Sequence, residues 1–133
     1  MITEPSREYV KRCLDLANEF LEDAKLCLAN LRLRAAINNA YYAMFHASQA
    51  ILVAKGVSPP KTHKGLREKF GKEIIKAGLM ESQYGKDLSR AFEMRQASTY
   101  DVFTTYSKED VNGIVDRAER FVRKIKELLE MGI

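Results

Sequence analysis

The sequence contains a set of polar and aromatic residues whose positions the apolar periodicity does not explain. They are Asn38, Asn39, Tyr41, Tyr42, His46, Thr62, His63, Lys64, Arg95, Tyr100 and Asp101. Asn39, Tyr42 and His46 are separated by three and four residues, so on a helix they share one stripe. A guanidinium beside a polar loop, such as that of Arg95, needs an acid or a bound anion as partner. The set therefore indicates either a hydrogen-bonded core or a phosphate-binding site, with Asp101 as the structural partner of Arg95.

The common catalytic and metal-binding motifs are missing from the sequence. There is no glycine-rich phosphate loop, nucleophile elbow or His-Glu-x-x-His motif. Neither His46 nor His63 has a glutamate three residues before it, which excludes a diiron bundle. Cys13 and Cys27 fall in one predicted helix, roughly 21 Å apart at 1.5 Å per residue, and cannot form a disulfide there. We therefore expect no metal and no cofactor.

Positive charge is concentrated in one segment of the chain. The whole sequence has a formal net charge of +4, with 22 basic and 18 acidic residues. Residues 61–76 alone contain six lysines or arginines against two glutamates. Lys64, Arg67 and Lys72 are therefore candidate contacts for nucleic-acid phosphates, and the alternative is a solvated helix face.

Composition and periodicity together predict one all-α domain over residues 1–133. Seven Gly and three Pro in 133 residues are few for a β-sandwich or barrel, and 46% hydrophobic residues suffice for a core. Apolar residues at steps of three and four predict five helices in an up-and-down antiparallel bundle. These helices cover Val10–Leu31, Arg32–Lys55, Thr62 to the residue before Gly78, Glu81 to about Arg95, and Ser107–Glu130, with a loop over Thr99–Tyr106.

No secretion signal or membrane-spanning segment is evident in the sequence. The longest apolar stretch, Ala43–Ala54, is short and contains His46 and Gln49. We therefore expect a cytoplasmic protein that does not contact a membrane.

Three runs of residues form a recognisable pattern: Arg34-Ala-Ala-Ile-Asn-Asn-Ala-Tyr-Tyr-Ala-Met-Phe-His46-Ala, Lys61-Thr-His-Lys-Gly65 and Arg95-Gln-Ala-Ser-Thr-Tyr-Asp101. They resemble the HEPN domain (higher eukaryotes and prokaryotes nucleotide-binding), and in particular its small stand-alone prokaryotic members. The resemblance covers nearly the whole chain. It implies a homodimer with a cleft between protomers, and pairing with a minimal nucleotidyltransferase in toxin–antitoxin modules.

The sequence departs from the family at the motif that cuts RNA. Active relatives use an Arg followed four to six residues later by His, and no histidine of this chain follows an arginine at that spacing. The resemblance carries over only Arg95, Tyr100 and Asp101. Metal-free RNA cleavage needs an acid and a base near neutrality, and Tyr, with a pKa near 10, is a poor base.

Three functional hypotheses follow from the sequence. The first is a nucleotide- or RNA-binding homodimer whose cleft binds phosphate through Arg95, Tyr100, Asp101, Tyr42, His46 and His63. The second is a metal-independent endoribonuclease that uses His46 or His63 with Arg95 across the dimer cleft. The third is a structural or assembly bundle in which Arg95 and Asp101 form an internal ion pair.

Overall fold

A computed structural model of the chain describes residues 3–132, which form five α-helices and no β-strand. The helices are α1 (Glu4–Ala29), α2 (Leu33–Ala54), α3 (His63–Phe70), α4 (Ser82–Tyr100) and α5 (Lys108–Glu130). A π-helical segment, Gly71–Ile75, continues α3 without a break. The predicted all-α fold with five helices is confirmed. In the part described, none of the helices is long and apolar enough to cross a membrane.

Helix α2 is the central helix of the bundle. Its alanines at positions 36, 40, 43, 47 and 50 are all fully buried. Small side chains let neighbouring backbones approach closely, and α2 packs against all four other helices. The sequence-based expectation that α2 is the most contacted helix is confirmed. The candidate site residues Tyr42, His46, His63, Arg67 and Arg95 lie on α2 or on a helix packed against it.

The predicted helix ends are confirmed at three positions. Gly56 follows α2 with a φ of +87°, in the left-handed region that favours glycine. The Thr62 hydroxyl accepts a hydrogen bond from the Gly65 amide at 2.9 Å and caps α3, so that His63 is the first residue of this helix. Ser107 caps α5 in the same way, through the Asp110 amide at 3.1 Å.

Helix α4 continues further than the sequence predicted. The predicted loop begins at Thr99, whereas the helix ends at Tyr100. The guanidinium of Arg34 on α2 donates hydrogen bonds to the carbonyl oxygens of Ser98 and Thr104. These bonds anchor the last turn of α4 and the following loop to the central helix. A sequence pattern read one helix at a time does not contain this stabilisation.

Candidate functional site

Two arginines and a histidine meet a group of aromatic rings where α2, α3 and α4 pack together. We call this group the arginine–aromatic cluster; it consists of Tyr41, Tyr42, Phe45, His63, Arg67, Phe92 and Arg95. The His63 ring lies at its centre, with its centroid between 5.5 and 6.1 Å from four of these rings. The cap at Thr62 starts α3 at His63 and so fixes the position of this side chain.

Arg95 is a half-buried cation that has no acidic partner in the described part of the chain. Its Nε donates a hydrogen bond to Asn38 Oδ1 at 3.4 Å, and one terminal nitrogen donates to Gln96 Oε1 at 3.2 Å. The guanidinium carbon lies 5.2 Å from the Tyr42 ring centroid and 5.9 Å from that of Tyr41, in the range of cation–π attraction. Within residues 3–132 no ion pair includes Arg95. The charge of Arg95 is therefore available to an anion.

Arg67 supplies a second cation to the same cluster. Its guanidinium carbon lies 3.9 Å from the centroid of the Phe92 ring. One terminal nitrogen is buried and has no hydrogen-bond partner, and none of the ion pairs among the described residues includes Arg67. A buried donor without a partner is unfavourable, so this nitrogen is suited to an anion that accepts its hydrogen. Arg67 and Arg95 together bring two positive charges to the cluster, and neither takes part in an ion pair within residues 3–132.

His63 is hydrogen-bonded to a buried tyrosine. The Tyr41 hydroxyl oxygen lies 2.7 Å from His63 Nδ1, and Tyr41 is fully buried. Burial raises the pKa of Tyr41 well above its ordinary value, so its hydroxyl stays protonated. Burial, the Arg95 charge and the Arg67 charge all lower the pKa of His63 below its ordinary value of 6.5. His63 is therefore neutral at pH 7.

His46 has a different environment from His63. It is half-buried and stacks on Phe20 of α1, with 5.4 Å between ring centroids and an interplanar angle of 11°. Its pKa is lowered by burial alone, without a contribution from either arginine of the cluster. Within one chain, His46 therefore packs at the boundary of α1 and α2, with its ring 5.2 Å from that of Phe45 and 6.4 Å from that of Tyr42, and Arg95 is not among the groups that change its pKa.

Tyr100 and Asp101 are not part of the arginine–aromatic cluster in a single chain. Tyr100 is 73% exposed on the last turn of α4. The Asp101 carboxylate accepts hydrogen bonds from the Thr104 hydroxyl at 2.6 Å and the Phe103 amide at 3.0 Å, and these bonds lower its pKa. The internal Arg95–Asp101 ion pair of the structural hypothesis is wrong, because Asp101 follows the end of α4 and its carboxylate instead orders the next loop.

The three basic residues predicted to contact nucleic acid do not form one face. Lys64 is exposed and lies 3.8 Å from Glu68, and Lys72 is also exposed. Arg67 instead points its guanidinium over Phe92.

In residues 3–132 no group of three or more His, Cys, Asp or Glu side chains is arranged to bind a metal ion.

Four contributors to the site received no binding role from the sequence. Asn38 and Tyr41 stood out as polar or aromatic residues, whereas Phe45 and Phe92 were not singled out. Helical spacing did contain part of the signal, since His63 and Arg67 are four residues apart and Phe92 and Arg95 are three apart. Spacing within a helix does not show which helices face each other, so the cluster required the tertiary structure.

Replacing Arg95 with glutamine should raise the pKa of His63 toward its ordinary value. The Arg95 charge disfavours a second positive charge on the imidazole, and glutamine removes that charge while keeping a polar side chain. Titration of His63 by NMR measures the change. Lys64→Gln is the matched control, because Lys64 adjoins His63 in sequence but is exposed and makes no resolved contribution to its pKa. An unchanged pKa in Arg95→Gln would show that the guanidinium lies too far away to act on His63.

Comparison with known proteins extends these observations. The family model described as "HEPN domain" matches residues 10–128. A "UPF0332 protein" of Thermotoga maritima is 40% identical over 114 residues, which is 86% of each chain. A protein of Methanocaldococcus jannaschii with the name "Putative toxin MJ0605" is 31% identical over 130 residues, covering 98% of this chain and 96% of the relative. A "UPF0332 protein" of Archaeoglobus fulgidus is 36% identical over 110 residues, which is 83% of this chain and 86% of the relative.

Proposed function

The chain belongs to the HEPN domain family, and on that premise we propose that it is a toxin-like protein whose arginine–aromatic cluster binds the phosphate group of a nucleotide or of RNA. One observation carries this proposal. Arg67 and Arg95 are half-buried in the same cluster and have no carboxylate partner among residues 3–132. Relatives that carry a toxin name support the toxin-like role.

The chemistry of the cluster favours phosphate over other ligands. Guanidinium groups bind phosphate through parallel, charge-assisted hydrogen bonds, and partial burial strengthens these bonds. Aromatic faces such as the Tyr42 ring offer a stacking surface for a base next to the phosphate. Asn38 and Gln96 orient Arg95 through their amide oxygens without neutralising it. Electrostatic attraction supplies the affinity and the rings favour an aromatic ligand.

The proposal is tested by comparing adenosine monophosphate (AMP) with adenosine in calorimetric titrations. We expect AMP to bind at least about ten-fold more tightly, since one charge-assisted hydrogen bond contributes about 1.5–3 kcal/mol and 1.4 kcal/mol is a factor of ten. The titrations contain a chelator so that no divalent cation bridges protein and phosphate. Equal affinities, or no binding of either compound, would contradict a phosphate site.

RNA as the ligand adds a dependence on salt. Lys64 on α3 and Lys72 on the π-helical segment that continues it are both exposed. We propose that they contact neighbouring phosphates of an RNA strand bound at the cluster. Affinity for a short oligoribonucleotide should then fall steeply as salt rises. Lys64→Gln and Lys72→Gln should each reduce that slope without affecting AMP affinity. A slope unchanged by both variants would assign these lysines to a solvated face.

Metal-independent RNA cleavage is a second candidate function. The observation in its favour is that His63, and not His46, lies in the cluster with Arg95. The sequence lacks the Arg and His spacing of active relatives, which counts against it. Incubating RNA with the protein in chelator decides between binding and cleavage. Cleavage that disappears in both Arg95→Ala and His63→Ala would make the protein an enzyme, and intact RNA in all samples would leave the binding role.

Two association partners are proposed from the family resemblance. The first is a second copy of the chain, and a homodimer would double the apparent mass in sedimentation velocity. The second is a minimal nucleotidyltransferase, which would co-purify after co-expression. The structure of such a dimer would show whether Tyr100, Asp101 and His46 of one protomer approach the cluster of the other. That is the cleft arrangement expected from the sequence.

A further inference from the structure

The hydrogen-bond requirements of Tyr41 decide the protonation state of its partner histidine. Tyr41 is fully buried, and its hydroxyl makes one hydrogen bond within the described chain, to His63 Nδ1 at 2.7 Å. A hydroxyl carries one hydrogen, and a buried donor needs an acceptor. Nδ1 is the acceptor in reach. It follows that Nδ1 carries a lone pair, and that in the neutral ring the hydrogen is on Nε2.

The opposite tautomer would leave a buried hydrogen without a partner. If Nδ1 carried the hydrogen, it would donate to the Tyr41 oxygen, and the hydroxyl hydrogen would have no acceptor in the described chain. The second ring nitrogen is different, because Nε2 makes no hydrogen bond among residues 3–132 and, unlike one terminal nitrogen of Arg67, is not one of the unpartnered buried atoms there. Nε2 therefore keeps some contact with solvent.

We propose that Tyr41 is a positioning residue that fixes neutral His63 with its hydrogen on Nε2, so that His63 presents a hydrogen-bond donor to a bound anion. This inference rests on the proposed phosphate site. With Arg67 and Arg95, His63 then completes a set of donors. The amide oxygens of Asn38 and Gln96 already accept hydrogen bonds from Arg95.

A site that offers only hydrogen-bond donors favours anions whose terminal oxygens carry no hydrogen and can all accept hydrogen bonds. Such anions include sulfate and the dianionic phosphate of a nucleotide. The same tautomer lacks a lone pair on Nε2, so neutral His63 cannot take a proton from a ribose 2′-hydroxyl through that atom. Tyr41 therefore adapts the cluster to anion binding and against a base role for His63.

The charged groups around His63 also lower its pKa and so favour its neutral form. Helix α2 contributes the Tyr41 hydroxyl and the Tyr42 ring, α3 contributes the cation Arg67, and α4 contributes the cation Arg95. No carboxylate is among the groups that change the His63 pKa. Arg67 and Arg95 both favour the uncharged His63 ring. Only the uncharged ring has two tautomers, since the charged ring carries a hydrogen on each nitrogen.

The proposal is tested by the nitrogen chemical shifts of His63 in ¹⁵N-labelled protein without ligand at pH 7.5. The two ring nitrogens give well-separated signals, and the expected pattern is hydrogen on Nε2 and none on Nδ1. Tyr41→Phe removes the hydroxyl and should produce a mixture of the two tautomers. Tyr42→Phe is the matched control for the tautomer, because it removes the neighbouring hydroxyl, which makes no hydrogen bond to His63 in the structure. A hydrogen on Nδ1 in the wild type, or an unchanged pattern in Tyr41→Phe, would overturn the assignment.

A second measurement separates this inference from the proposed function. Sulfate keeps its charge across neutral pH and is titrated into the wild type and Tyr41→Phe. Weaker sulfate binding by Tyr41→Phe, by several-fold, supports the donor role of His63, and unchanged binding would overturn it. Failure of the wild type to bind sulfate or AMP at all would instead contradict the phosphate site, whatever the tautomer of His63.

Discussion

Replacing Arg95 with glutamine is expected to weaken AMP binding by about 10- to 100-fold while leaving the thermal stability almost unchanged. The loss corresponds to one or more charge-assisted hydrogen bonds, each about 1.5–3 kcal/mol. The stability should persist because Arg95 has no carboxylate partner among residues 3–132, so its removal leaves no buried acid unpaired. Calorimetric titration gives the affinity and thermal denaturation gives the stability.

Two matched variants sharpen this result. Arg95→Lys keeps the charge but not the planar fork, and should recover only part of the affinity. The sequence placed Asp101 in the same site, but in the structure its carboxylate accepts hydrogen bonds from the loop after α4. We therefore expect monomeric Asp101→Asn to bind AMP about as tightly as the monomeric wild type. A large loss of stability in Arg95→Gln with unchanged AMP binding would instead make Arg95 a structural residue.

Much of the fold could be predicted from local patterns. Helix α5 is the clearest case, since Ser107 with Asp110 marks its start and apolar residues at steps of three and four continue to its end. Gly56 ends α2 for an equally local reason. Such signals lie within a few neighbouring residues, so one sequence is enough to find them. The end of α4 was mispredicted because Arg34, more than sixty residues away, stabilises its last turn.

The site was predictable only in part, because its residues meet through tertiary packing. Arg95 and His63 stood out by residue type, and the structure places both in one cluster. Arg67 was predicted only as one of three candidate phosphate contacts in a basic run, with a solvated helix face as the alternative, since net charge does not show which member of a run points inward. The role of Tyr41 depends on how residues 55–62 return α3 to α2, and helical spacing contains no information on that path.

We expect ligand binding by the cluster and the stability of the bundle to depend on different residues. Phe121→Ala should lower the stability without abolishing AMP binding. Phe121 on α5 is fully buried, with its ring centroid 5.3 Å from that of Phe70 and 6.1 Å from that of Tyr84. Removing such a ring leaves a cavity and is expected to cost about 3–5 kcal/mol of unfolding free energy. Urea denaturation measures this change.

The informative comparison is between Phe121→Ala and the Arg95 variants. Under conditions where Phe121→Ala remains folded, its AMP affinity should stay within a few-fold of the wild type, because the rings paired with Phe121, those of Phe70 and Tyr84, are not members of the arginine–aromatic cluster. Phe103→Ala is the control for the substitution itself, since Phe103 is 92% exposed and its removal should change the unfolding free energy by no more than about 0.5 kcal/mol. A Phe121→Ala protein that is folded but no longer binds AMP would show that the cluster depends on the α5 core. The donors of Arg67, His63 and Arg95 would then be aligned by the whole bundle rather than by α2, α3 and α4.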